Sequence, residues 1–451
     1  MKLIKAIQTR RGAQLKLNGA AEKALSTAPP SSTFALNPDD FFGLTPKLSV
    51  KEGDTVKKGS PLFFDKKNPE IIVVSPIAGS VEQIHRGPKR KIESIIIKAS
   101  SNQGVIKWTI DEEKRDSNYL KKMLLQGGLW PFIQQRPYGI IANPADTPKA
   151  IFVSTFPTSP LAIDYDFTLQ HDQEDFQNGI DILNNLVDTP INLGVSKSSP
   201  GFFEKIQHVN HYSISGPHPA GNVSLHIQEI SPINSGDRIW TVNPEDVVNI
   251  GRFFKTGEFS GQRTIAVCGN GIRQPKYFVT SLGVELAPLL ENVGLVHENV
   301  RIINGDILTG NKVSVKGHLG YFNTLVTVIP EGNHYRMLGW LPFKDNGILS
   351  LSNTSFSRLF GRKGFDVDTN LNGEERAMVV TGEMEKVFPF DIYPMQLLKA
   401  CLVENIEKME ALGIYEVVPE DFGLIDYANT SKIESQEIIR KGIELMIKEV
   451  G

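Results

Sequence analysis

Asp65-Lys66-Lys67 sits between two apolar runs, in FDKKNPEIIVVSPIAG (64–79). A lysine amine held at a hairpin tip is a nucleophile that a ligase could acylate with a lipoyl or biotinyl group. Asn68-Pro69 lengthens this turn and stiffens it, and a modifying enzyme reads turn geometry. Lys66 and Lys67 are therefore expected to be exposed and unmodified. Four of the nine histidines, His208, His211, His218 and His226, fall within nineteen residues. Imidazoles are common metal ligands, but His-x-x-His on an extended strand sends its rings to different faces. No carboxylate pattern suited to a metal is interleaved, so no metal site is expected. His218 lies in the Gly/Pro turn GPHPAG (216–221) and is expected to have a structural or docking role. Glu374, Glu375 and Arg376, with Glu383, Glu385 and Asp391, form a mixed-charge stretch. Glu374 and Arg376 are candidates for contact with a partner.

Other chemistries are poorly served. Cys268 and Cys401 are the only cysteines, too few for an iron–sulfur cluster or a cysteine-built zinc site. No GxGxxG follows a strand, which removes the usual dinucleotide cradle. Net charge is −3, so no global field draws nucleic acid. Basic clusters at His85-Arg86 with Lys89-Arg90-Lys91, and at Arg362-Lys363, read as solvated hairpin tips, the alternative being docking on an acidic partner or anionic lipid heads. No run reaches the ~18 apolar residues of a membrane span. The N-terminus lacks an apolar signal region, so a cytoplasmic chain is expected.

The elements around these residues suggest a multidomain α+β chain. In 1–100, short strands and Gly or Pro turns form two similar units, LSVKEGDTVKKGSPLFF (48–64) and GSVEQIHRGPKRKIESIII (79–97). Packed together they would make a barrel-sandwich of the biotinyl/lipoyl kind. In 101–256, Leu120, Met123 and Leu124 share one helix face, and strands near 149–156, 190–196, 211–215 and 238–242 alternate with helices. Asn243-Pro244-Glu245-Asp246 is a strong helix start. That alternation suits a Rossmann-like α/β domain. In 257–335, a hairpin at Asn270-Gly271, a short amphipathic helix and further strands suit a β-grasp (SLBB-like) module. In 336–451, MQLLKACLVENIEKMEAL (395–412) and SQEIIRKGIELMIKEV (435–450) give a C-terminal helical domain.

Four segments carry a resemblance that spans the chain: DKKNPEIIVVSPIAGSVEQIHRGPKRK (65–91), SGPHPAG (215–221), GNGIRQPKYFVTSLG (269–283) and NGEERAMVVTGEMEKVFPFDIYP (372–394). The chain resembles the A subunits of sodium-translocating NADH:quinone oxidoreductases. It is more distantly similar to the complex I flavoprotein and to the C subunit of the Rnf complex. The resemblance implies a peripheral subunit on the cytoplasmic face of the membrane. Its partners would be the other members of a six-subunit sodium pump, including integral membrane subunits, with quinone as a candidate ligand. It implies an enzyme only as part of that complex. NADH, flavins, a 2Fe-2S cluster and quinone belong to the whole assembly, and no cofactor is expected in this chain.

In the flavin-binding relatives a Gly-rich loop approaches FMN. The corresponding stretch here is QGGLWPFIQQRPYG (126–139). Gly127 and Gly128 remain, but Trp130 is bulky enough to occupy a ligand's place, which makes a vestigial flavin loop the expectation. The tail LIDYANTSKIE (424–434) departs from the family's Cys-containing stretch. The alternatives are a flavin-binding electron-transfer subunit of the Rnf or complex I kind, and a lipoyl- or biotin-type carrier.

Overall fold

A computed structural model describes residues 3–102, 104–332, 347–351 and 364–450. The basic pair Arg362-Lys363 and part of the expected 336–451 region lie outside the described residues.

The barrel-sandwich occupies residues 33–99. One sheet orders the strands Thr33–Leu36, Ile92–Ala99, Gly79–Arg86 and Thr55–Val56, and the other orders Pro46–Leu48, Pro61–Asp65 and Ile72–Val74. Period-two alternation explains the packing: Ile95 and Ile97 point into the core with no exposure, while Ile96 between them is half-buried on the outer face. Leu62, Phe63 and Val73 meet them from the second sheet.

Two N-terminal strands depart from the sequence expectation. Leu3–Gln8 leaves the barrel and pairs in parallel with Asn210–Ser215 at the edge of the α/β sheet. Glu22–Thr27 pairs in parallel with Lys276–Ser281 at the edge of the β-grasp sheet. Local alternation marks a strand but does not select its sheet, which depends on which distant edge is open.

The α/β sheet continues through Ile191–Ser196, Ile151–Ser154 and Ile239–Thr241, all parallel, then adds Gln134–Arg136 and Ile140–Ile141 antiparallel. Ile151, Phe152 and Val153 are wholly buried, as a strand covered on both faces requires. The helices Gln173–Leu186 and Pro244–Thr256 pack closely at two glycines. A Cβ on Gly179 would lie 2.1 Å from the Val247 carbonyl oxygen, and one on Gly251 would lie 1.9 Å from that of Asp175.

In the β-grasp sheet the order is Asn311–Val313, Val300–Asn304, Leu325–Pro330, Gln262–Cys268, Lys276–Ser281 and Glu22–Thr27. The helix Leu286–Val293 buries Leu286, Leu289, Leu290 and Val293 against it. The tail is helical, but 395–412 is not one helix. Pro394–Leu402 ends, Glu404 turns to φ 53°, and Asn405 caps Ile406–Ala411 by accepting the Lys408 N–H at 2.9 Å. Apolar spacing continues across the break, whereas the cap belongs to the asparagine alone.

Candidate functional site

The Gly127-Gly128 loop follows the C-terminal end of the helix Ser117–Gln126. That end carries the negative pole of the helix dipole, the wrong sign for a phosphate. Its amides are also engaged: Gly127 N–H donates to the Met123 carbonyl at 2.8 Å, Gly128 N–H to Leu125 at 3.2 Å and Leu129 N–H to Leu124 at 2.9 Å. The glycines serve close packing. A Cβ on Gly127 would meet the Phe253 ring at 2.5 Å, and one on Gly128 would meet Val74 of the barrel at 2.4 Å. Gly128 also needs its φ of +71°.

Trp130 lies beside them with no exposure. Its Nε1–H donates to the Ala142 carbonyl at 2.7 Å, and its ring meets Trp240 edge-on at 5.6 Å. Phe132 extends the wall by stacking on Phe259 and Tyr321. Protein side chains therefore fill this loop, and its donors face inward.

Lys66 and Lys67 are exposed between the paired strands Pro61–Asp65 and Ile72–Val74. Asp65 explains the motif locally. Its buried carboxylate accepts the Lys67 and Thr45 N–H groups, each at 3.1 Å, while Lys66 N–H donates to the Thr45 carbonyl at 2.7 Å. The aspartate pins the turn through backbone groups and leaves the lysine side chains outward.

The four histidines diverge. His208 is exposed and pairs with Asp181 at 2.8 Å. His211 is buried and reaches the Phe203 carbonyl at 3.1 Å. His226 is buried between the Ala220 carbonyl at 2.7 Å and the Tyr212 hydroxyl at 3.2 Å, and burial pushes it down to about 4. His218 is buried as well. Its Nδ1 lies 3.2 Å from Thr158 Oγ1, its Nε2 has no hydrogen-bond partner, and burial lowers its pKa against the pull of Asp306. At 4 % exposure the His218 ring faces inward. The Gly/Pro segment folds it inward against Gly12-Ala13 and Thr158. No group of three or more ligating side chains is placed to hold a metal among the described residues.

Glu374 and Arg376 are exposed on an irregular segment that also exposes Val379 and Val380 at about 60 %. The Arg376 N–H donates to the Ser431 carbonyl at 2.9 Å, which ties the segment to the tail.

A buried charge cluster that the sequence did not reveal lies where three units meet. Arg263 of the β-grasp strand Gln262–Cys268 is wholly buried. Its Nη2 lies 2.9 Å from Asp246 Oδ1 and donates to the Tyr321 carbonyl at 3.1 Å, while its Nη1 lies 3.4 Å from Glu245 Oε2. Glu245 also accepts the Thr264 N–H at 2.5 Å. Tyr321 N–H in turn donates to Asp40 of the barrel at 2.9 Å. Burial pushes Glu245 up to about 7 against Arg263, and Asp40 up to about 6 against the Tyr321 N–H. Glu245 and Asp246 read simply as a helix start; the one further signal was an arginine opening an apolar strand. A second junction fixes the tail: Arg136 meets Glu420 at 3.2 Å, and Asn222 donates to buried Asp421 at 2.9 Å.

Three family models match: the NqrA N-terminal barrel-sandwich hybrid domain over residues 7–100, the NqrA second alpha/beta domain over 115–259, and the NQRA C-terminal domain over 264–315. The chain is 33% identical over 448 residues to the A subunit of the Na(+)-translocating NADH-quinone reductase of Neisseria meningitidis serogroup B, covering 98% of this chain and 100% of that one. It is 34% identical to the counterpart from Marinomonas sp., covering 97% and 99%. Among solved structures, an NAD+-reducing [NiFe]-hydrogenase in the air-oxidized state aligns with a TM-score of 0.39 and 11% identity over 74% of this chain and 61% of that one, too distant to bear on function. With a third of its residues identical over essentially its whole length, the chain belongs to the family of A subunits of Na(+)-translocating NADH-quinone reductases.

Proposed function

We propose that this chain is a peripheral, cofactor-free subunit of a sodium-pumping NADH:quinone reductase, docked on the cytoplasmic face of the integral subunits. It supports assembly of the complex and lies near quinone reduction, while partner subunits carry NADH oxidation, flavin and iron–sulfur chemistry. The filled Gly127-Gly128 loop carries the cofactor-free part of this reading, because its amides are committed and Trp130 occupies its interior. Among the described residues no helix is long and apolar enough to cross a membrane, so attachment through protein contacts fits the fold. The reading divides the chain near residues 100, 256 and 335, with the first unit lending one strand to each of the next two.

The docking face we favour is 372–394, where exposed Val379 and Val380 follow exposed Glu374 and Arg376. Exposed apolar side chains next to charges of both signs suit a protein partner better than lipid. The test is the visible spectrum of the chain separated from its complex. A colourless protein is expected; bands near about 450 nm from bound flavin would overturn the cofactor-free reading.

A further inference from the structure

A cleft of about 370 Å³ lies between the barrel and the β-grasp unit. The barrel contributes Asp40 and, from the hairpin of Gly79–Arg86 and Ile92–Ala99, His85. The β-grasp unit contributes Lys312, Lys316 and His318 from Asn311–Val313 and the loop after it. Four groups that can bear positive charge thus face one carboxyl, and that carboxyl is pushed up to about 6 by burial. His318 is part-buried with its Nε2 3.1 Å from Thr33 Oγ1, and burial lowers its pKa while the nearby Glu285 carboxylate raises it.

The rest of the lining is amide and hydroxyl. Asn304 donates to the His318 carbonyl at 2.9 Å and keeps a buried Oδ1 without a partner, an acceptor available to a ligand hydroxyl. Ile96 and Val313 are the only large apolar side chains in the lining, and no Phe, Tyr or Trp ring is present. The volume sits at the low end for small-molecule pockets, and the lining is mainly polar. We infer that this cleft binds the oxyanion of a small phosphorylated molecule, with lysine and imidazole on the phosphate and asparagines on its polar body. Lysine acts as a point charge toward phosphate and tolerates a loose approach, which suits an open cleft. The same oxyanion chemistry occurs on a free metabolite and on an anionic phospholipid headgroup.

The test uses the purified full chain and a Lys316→Ala, His85→Ala double variant. Both residues are exposed, and Lys312 is avoided because it also reaches Glu331 at 3.3 Å. Inorganic phosphate is titrated by calorimetry against potassium chloride of matched ionic strength. Saturable binding to the wild type, at least tenfold weaker in a double variant of unchanged melting temperature, is the expected result. In parallel, vesicles of phosphatidylcholine with and without phosphatidic acid are sedimented with both proteins. Retention that requires phosphatidic acid and is lost in the variant assigns the oxyanion to a lipid headgroup. Phosphate binding without vesicle retention assigns it to a soluble metabolite. The inference is overturned if phosphate acts no differently from chloride with no variant-sensitive vesicle retention, or if both proteins respond alike.

Discussion

Trp130 combines complete burial with a satisfied indole N–H, so truncation removes packing and a hydrogen bond together. Trp130→Ala should lower stability by about 3–5 kcal/mol, read as a fall in the urea midpoint. It should not create a flavin site, because the amides of residues 127–129 remain engaged with the preceding helix. Tight FMN binding by that variant would show that bulk alone had closed the loop. At the opposite extreme, Lys66→Ala with Lys67→Ala should change stability by no more than about 0.5 kcal/mol, since both side chains are exposed and the turn is held by Asp65. Intact mass should show no adduct on either lysine. The bulk of Trp130 and the lengthened lysine turn were legible in the sequence because they depend on neighbours in the chain. The inward fold of His218 was not, since Thr158 and Gly12-Ala13, which enclose it, are distant in sequence.

Between elements, the decisive contact is the N-terminus of the helix Pro244–Thr256 against the strand Gln262–Cys268. Arg263→Met would leave Glu245 and Asp246 buried without their cation, at a cost of about 3–5 kcal/mol. Glu245→Gln should be milder, because it resembles the protonated acid. The pH dependence distinguishes the two forms of Glu245. Its carboxyl titrates near 4.5 when unfolded and at about 7 in the fold. Between these values the folded state binds more protons, so its contribution is full below about 4.5 and is lost as pH rises to about 7. The melting-temperature gap between wild type and Glu245→Gln should therefore move against the wild type across that window, and a gap independent of pH would contradict the assignment. His226 acts in the opposite sense: its pKa falls from 6.5 to about 4, so its contribution is lost as pH drops through that range. Comparing the two Glu245 forms cancels the histidine term. The helix start at Asn243-Pro244 was legible, because proline at the first helical position and carboxylates in the first turn act locally, although the Asn243 side chain makes no capping bond. The destinations of Leu3–Gln8 and Glu22–Thr27 were not, because open edges created by strands some two hundred residues away select them. The break at Glu404 could have been read from Asn405, had its capping capacity been weighed against the apolar spacing.

For the whole molecule, charge pairs at the junctions tie the units together, and 372–394, the partner face proposed above, exposes Glu374 and Arg376. Association through such charges should weaken with salt, since exposed pairs are screened beyond about 8 Å at physiological ionic strength. Glu374→Lys with Arg376→Glu should reduce membrane retention most at low salt, with little change in folding. Membership of a working sodium-pumping complex can be tested in native membranes. The tagged full chain is captured from native membranes solubilised in mild detergent, and the eluate is assayed for NADH-dependent quinone reduction with and without sodium. Integral subunits and sodium-stimulated activity are expected to co-elute with the chain. Recovery of the chain alone, with the activity left in the unbound fraction, would contradict it.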